Sequence, residues 1–133
     1  MAEQPVISIV DDDLSVLEGT VDLLNSMGFS ARTFQRADDF LNSGQLASTA
    51  CLITDVQMPG MTGIELYDHL VGSGTPIPTI LITAYPDDAD RARALRAGVF
   101  CYLPKPFDQD ELLACIRSAL DHHRKSDTGG SRS

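Results

Sequence analysis

Asp11, Asp12 and Asp13 form one acidic run directly after the apolar stretch Val6–Val10. Another carboxylate, Asp55, closes a second apolar stretch, Cys51–Thr54, and the turn residues Met58-Pro59-Gly60 follow soon after. An uncompensated buried carboxylate costs several kcal/mol, so an acid at the end of a buried segment calls for a cation beside it. Thr83-Ala84 ends a third apolar run, and Lys105-Pro106 follows a fourth. Clustered carboxylates repel, and a hard divalent cation relieves them; magnesium takes oxygen ligands, usually one or two carboxylates together with a phosphate. Asp11, Asp12 and Asp55 supply such a nest, Lys105 a movable point charge, and Thr83 a hydroxyl donor. A carboxylate beside magnesium and a lysine suits phosphoryl transfer, with Asp55 as nucleophile and an acyl phosphate as product.

Each residue alone has a plainer use. Asp13 is placed to cap the helix that starts at Leu14, and Lys-Pro alone is a turn. The chemistry needs them all at one edge of a fold, so the elements decide. Val6–Val10, Ser30–Phe34, Cys51–Thr54, Thr79–Thr83 and Val99–Leu103 read as strands. Between them, Leu14–Met27, Ala37–Leu46, Thr62–Val71 and Ala89–Ala97 read as helices, and Asp108–Leu120 is a fifth, capped by Asp108. Gly28 and Gly98 stand where C-terminal glycines end helices, and Gly72–Pro78 is a loop. Strands that are apolar throughout, alternating with helices, predict an α/β fold with a parallel sheet covered on both faces. In such sheets ligands sit at the carboxyl ends of the strands. That is where Asp11, Asp12, Asp55, Thr83, Ala84 and Lys105 all stand.

The 133 residues suit one domain, and 43% hydrophobic with 22% charged residues is an ordinary globular balance. Residues 1–121 are expected to form the domain and residues 122–133 a polar tail or the start of a linker. Net charge is −9, from 19 acids against 10 bases. This disfavours direct nucleic acid binding and anionic membrane surfaces. The N-terminus lacks a secretory signal pattern, and no apolar run approaches membrane-spanning length. Cys51, Cys101 and Cys115 lie in apolar stretches too far apart for a metal knuckle, so reduced, buried thiols and a cytoplasmic location are expected.

Four motifs together resemble the receiver domain of two-component response regulators: VDDD (Val10–Asp13), DVQMPGMTGIEL (Asp55–Leu66), TAY (Thr83–Tyr85) and YLPKPF (Tyr102–Phe107). The resemblance runs from Val6 to about Leu120, and the MPGMTG and KPF forms are similar to FixJ- and NarL-type receivers. It implies a doubly wound, flavodoxin-like sheet of five parallel strands in the order 2-1-3-4-5 with five helices. It also implies that Asp55 accepts a phosphoryl group from a histidine kinase or phosphotransfer protein. Mg2+ would be held by Asp11, Asp12, Asp55 and the backbone carbonyl of Gln57. Thr83, Ala84 and Lys105 would bind the phosphoryl group, and the Lys105–Pro106 bond would be cis. Tyr102 would turn inward as Thr83 moves, a population shift between two packings. Such a domain regulates a partner or an attached output and is not an enzyme beyond its own phosphorylation and dephosphorylation.

Gln57 and Tyr85 lie where the family controls access to the phosphoryl group. Tyr85, stiffened by Pro86, is expected to shield it. The face from Ala89 to Leu120, with Arg91, Arg93 and Arg96, is a candidate surface for phosphorylation-dependent homodimers. Two other functions remain open at this point. The chain could be a receiver-like binding module that is never phosphorylated. Alternatively, DDDLS (Asp11–Ser15) fits the start of haloacid-dehalogenase-type phosphatases, with Asp11 as nucleophile and Asp13 as acid-base.

Overall fold

The computed structural model describes residues 5–132, and side chains over residues 5–121. Its elements alternate: β1 (Val6–Val10), α1 (Leu14–Ser26), β2 (Ser30–Phe34), α2 (Ala37–Leu41), β3 (Cys51–Asp55), α3 (Gly63–Gly72), β4 (Thr79–Thr83), α4 (Asp88–Ala97), β5 (Cys101–Pro104) and α5 (Gln109–Arg132). All neighbouring strands pair in parallel, in the order β2-β1-β3-β4-β5. The expected doubly wound α/β fold, its order and its five helices are therefore present. No helix among the described residues is long and apolar enough to cross a membrane. The expected tail, residues 122–133, has no described side chains.

The sheet is buried on both sides because its strands carry apolar residues on both faces. Ile7, Ile9, Ile53, Ile80 and Ile82 pack with Leu17 and Leu24 of α1 and Leu112 and Ile116 of α5. On the opposite face Val10 and Leu52 meet Phe40, Leu66 and Leu70, and Leu81 meets Ile64, Tyr67 and Ala94. Every residue of β3 and β4 is buried. A polar group on either strand therefore needs a partner.

Helix boundaries follow from caps. Asp13 caps α1 by accepting from the Ser15 N–H, as expected, and Gly98 ends α4 in the left-handed region. Asp108 accepts from the Asp110 N–H at the start of α5. Thr62 and Glu65 form a reciprocal capping box on α3.

Three elements differ from expectation: α5 does not end at Leu120 but continues as helix to Arg132, through residues expected to form a polar tail, and α2 and β5 have other bounds. α2 ends at Leu41 and not at Leu46, because Asn42-Ser43-Gly44 turns the chain: the Ser43 hydroxyl donates to the Phe40 carbonyl at 2.7 Å and Gly44 takes a positive φ of 76°. β5 starts at Cys101 and not at Val99, whose N–H is spent on the Ala94 carbonyl that closes α4. It extends to Pro104, which an edge strand tolerates because one side of its backbone needs no sheet partner.

Candidate functional site

Parallel register assembles the site. Val10 pairs with Thr54, so the residues that follow them, Asp11 and Asp55, emerge side by side. Thr83 pairs with Pro104, which brings Lys105 to the same edge. Asp11 is fully buried, Asp55 is 7% exposed, and Asp12 faces solvent. One carboxylate oxygen from each of the three lies within 4.8 Å of the others. The spatial convergence expected from the strand ends is therefore present for these three residues and Lys105.

Lys105 Nζ donates to Asp11 Oδ2 at 2.9 Å and to Asp55 Oδ2 at 3.2 Å. The other oxygens are held by backbone: Asp11 Oδ1 accepts from the Asp13 N–H at 3.0 Å, and Asp55 Oδ1 from the Gln57 N–H at 3.3 Å. Burial first, and then the charge of Asp11, pushes the Asp55 carboxyl above the usual carboxylate range, against the opposing pull of Lys105. Burial works against the Lys105 charge too, but its bonds and charge interactions with Asp11 and then Asp55 outweigh it and raise its pKa. One ammonium is shared between two buried acids, Asp11 and Asp55, so it is firmly charged while burial and Asp11 leave Asp55 under-compensated.

That imbalance, together with an all-oxygen donor set, fits a hard divalent cation such as Mg2+. Each carboxylate oxygen keeps a lone pair beyond its present hydrogen bond. Soft or imidazole-preferring metals find no thiolate or histidine in the cluster.

The remaining expected residues have definite positions. Thr83 is buried; its hydroxyl donates to Gln57 Oε1 at 2.8 Å and accepts from the Tyr85 N–H at 3.0 Å. Ala84, Lys105 and Pro106 border an apolar groove of about 540 Å³, whose other wall is Ser15, Val16, Gly19, Thr20 and Leu23 of α1. The Lys105–Pro106 bond is cis. The Tyr85 side chain is 74% exposed, so most of its surface stands in solvent. Tyr102, expected outward until phosphorylation, is already inward: it is 8% exposed and its hydroxyl accepts from the Asp87 N–H at 3.2 Å. On α4, acids in the first turn and Arg96 in the last follow the helix dipole, which accounts for their placement on its own. Cys51 is buried, Cys101 and Cys115 are half-buried, and all three are free.

Sequence reasoning passed over Gly63. Its N–H donates to the Val56 carbonyl at 2.9 Å, and a Cβ there would collide with the backbone carbonyl oxygen of Asp55 and press on Leu81. The second glycine of MPGMTG was the available signal. A phosphatase reading with Asp11 as nucleophile meets two obstacles. Asp11 is wholly enclosed, and Asp13 is occupied by the Ser15 N–H and hydroxyl.

Known proteins resemble this chain in sequence and fold. TmoT of Ectopseudomonas mendocina, a response regulator protein, is 42% identical over 119 residues, covering 89% of this chain and 54% of its own length. The transcriptional regulatory protein FixJ of Bradyrhizobium diazoefficiens is 35% identical over 86% of this chain and 56% of its own length. The chain thus spans about half the length of the curated relatives it matches. Among solved structures, the response regulator StyR superposes with a TM-score of 0.90 at 38% identity, covering 98% of this chain and 66% of that one. The N-terminal part of FixJ superposes with a TM-score of 0.80 at 30% identity, covering 91% and 97%. Residues 7–117 match the family model of the response regulator receiver domain. With the strand order, the acid cluster and the lysine all in place, the chain belongs to the response regulator receiver domains of two-component systems, a family phosphorylated on aspartate.

Proposed function

We propose that Asp55 is the phosphoryl acceptor, that the donor is a histidine kinase or phosphotransfer protein, and that the resulting acyl phosphate regulates a partner or an attached output. The observation that carries this reading is Asp55 at the open end of β3, 3.2 Å from Lys105 and within reach of Asp11 and Asp12. In the reaction an Asp55 carboxylate oxygen forms a new P–O bond while the donor's P–N bond breaks. The donor imidazole leaves with the electron pair of that bond. Asp55 must be ionised to attack, so the ammonium of Lys105 both keeps it charged and later meets the phosphoryl oxygens.

Asp11, Asp12, Asp55 and the Gln57 carbonyl would hold Mg2+, which supplies positive charge against the transferred group. Thr83 contributes a hydroxyl donor on the neighbouring strand, and Ala84 the adjoining backbone. The groove beside Lys105 leaves the site open to a protein donor. The exposed charges of α4 remain the candidate surface for phosphorylation-dependent homodimers within the face from Ala89 to Leu120.

The test is intact mass after incubation with acetyl phosphate and magnesium. Wild type should gain one phosphoryl group, and Asp55→Asn none. No gain in the wild type would favour the binding-module reading.

A further inference from the structure

The hydroxyl expected to greet the phosphoryl group is already engaged. Thr83 Oγ1 accepts from the Tyr85 N–H at 3.0 Å, and its proton points to Gln57 Oε1 at 2.8 Å. Thr83 is fully buried, which removes bulk water as an easy substitute partner. A hydroxyl has one proton to donate. It can serve Gln57 or a phosphoryl oxygen on Asp55, but not both at full strength.

Gln57 is well placed to arbitrate. Its backbone N–H donates to Asp55 Oδ1 at 3.3 Å, while its side-chain oxygen takes the Thr83 proton. One residue therefore touches both the acceptor carboxylate and the hydroxyl donor. Tyr102 already sits inward, with its hydroxyl on the Asp87 N–H. What remains free to change is the partner of Thr83, and the Tyr85 N–H is attached to the same oxygen.

We propose that the Gln57 side-chain amide is a latch: a competing acceptor that positions Thr83 in the resting state and sets how readily phosphorylation recruits it. The proposal rests on Asp55 as phosphoryl acceptor. Releasing Thr83 exchanges the Gln57 bond for one to the phosphoryl group, and the Tyr85 backbone follows the moving oxygen. A partner that reads the segment from Tyr85 to Asp87 would sense that exchange.

Binding of beryllofluoride, a phosphoryl mimic, in the presence of Mg2+ tests the latch on the full chain, with NMR of the Thr83 methyl group and the Tyr85 amide. Gln57→Leu removes the acceptor. It should tighten the mimic by about fivefold, the scale of one net hydrogen bond. Before any mimic is added, it should also move the Thr83 methyl signal toward its mimic-bound position. Gln57→Glu retains an acceptor at the same reach and should keep the resting methyl signal near wild type. In a Thr83→Val background, Gln57→Leu should have no further effect on affinity, because the donor is gone. Mimic binding that ignores Gln57→Leu, or an equal effect in the Thr83→Val background, overturns the latch and leaves the acceptor reading standing. A wild type that does not bind the mimic overturns both.

Discussion

Lys105 Nζ lies 2.9 Å from Asp11 Oδ2 and 3.2 Å from Asp55 Oδ2, so one ammonium ties the ends of β1 and β3 together. Without it Asp11, fully buried, would retain only the Asp13 N–H as a hydrogen-bond partner among the described residues. The same cation that is proposed to prepare Asp55 for a phosphoryl group therefore also joins the two strand ends.

Lys105→Met should accordingly destabilise the chain by about 3 kcal/mol in chelator, because breaking a buried pair leaves a charge uncompensated. Mg2+ should restore part of the loss by supplying positive charge to the same oxygens. Urea unfolding with and without the metal measures both. Stability equal to wild type in chelator would mean that Asp11 does not depend on the ammonium.

Acidity should reveal the crowding of carboxylates. Burial and then Asp11 raise the Asp55 pKa from the usual 3.8. Between that value and the raised one, the native chain binds more protons than the unfolded chain, so stability falls as pH rises across the window. Asp55→Asn removes the fall. In chelator, wild-type stability measured relative to Asp55→Asn should decline with rising pH and flatten above the raised pKa. A flat or rising difference contradicts the shift.

Gly63→Ala drives a methyl group into the Asp55 carbonyl. A cost of about 1–3 kcal/mol is expected for such overpacking, together with slower phosphorylation as the acceptor is displaced. Thermal unfolding and acetyl phosphate kinetics on the same protein check the pair. If neither changes, the close approach of α3 to Asp55 has no bearing on the site.

Gly19 lies within α1 on the wall of the groove beside Lys105, and a Cβ there meets nothing within 4 Å. Gly19→Ala should therefore stabilise α1 by about 0.5–1 kcal/mol. Gly19→Gln fills more of the groove and should slow transfer from a protein donor more than from acetyl phosphate. Equal effects on the two donors would show that a protein donor approaches elsewhere.

Much of this was legible because parallel strands make sequence position into spatial position. Val6–Val10 and Cys51–Thr54 are apolar on both faces, so both belong in a covered sheet, and the acids that follow them share its edge. The same reasoning brought Thr83 and Lys105 to that edge. α2 was drawn through to Leu46, whereas the Ser43–Phe40 bond and the φ of Gly44 end the helix at Leu41. Contacts set by packing in three dimensions stayed hidden. The Gln57–Thr83 bond joins residues 26 apart in the chain, and the inward seat of Tyr102 depends on an N–H at the cap of α4. No local pattern announces either.

The most direct test locates the phosphoryl group. After reaction with acetyl phosphate and magnesium, borohydride reduction converts an aspartyl phosphate to homoserine, and peptide mass then identifies the position. Homoserine in place of Asp55, and at no other aspartate, is the predicted result. Homoserine in place of Asp11, or an unmodified Asp55 peptide, would contradict it.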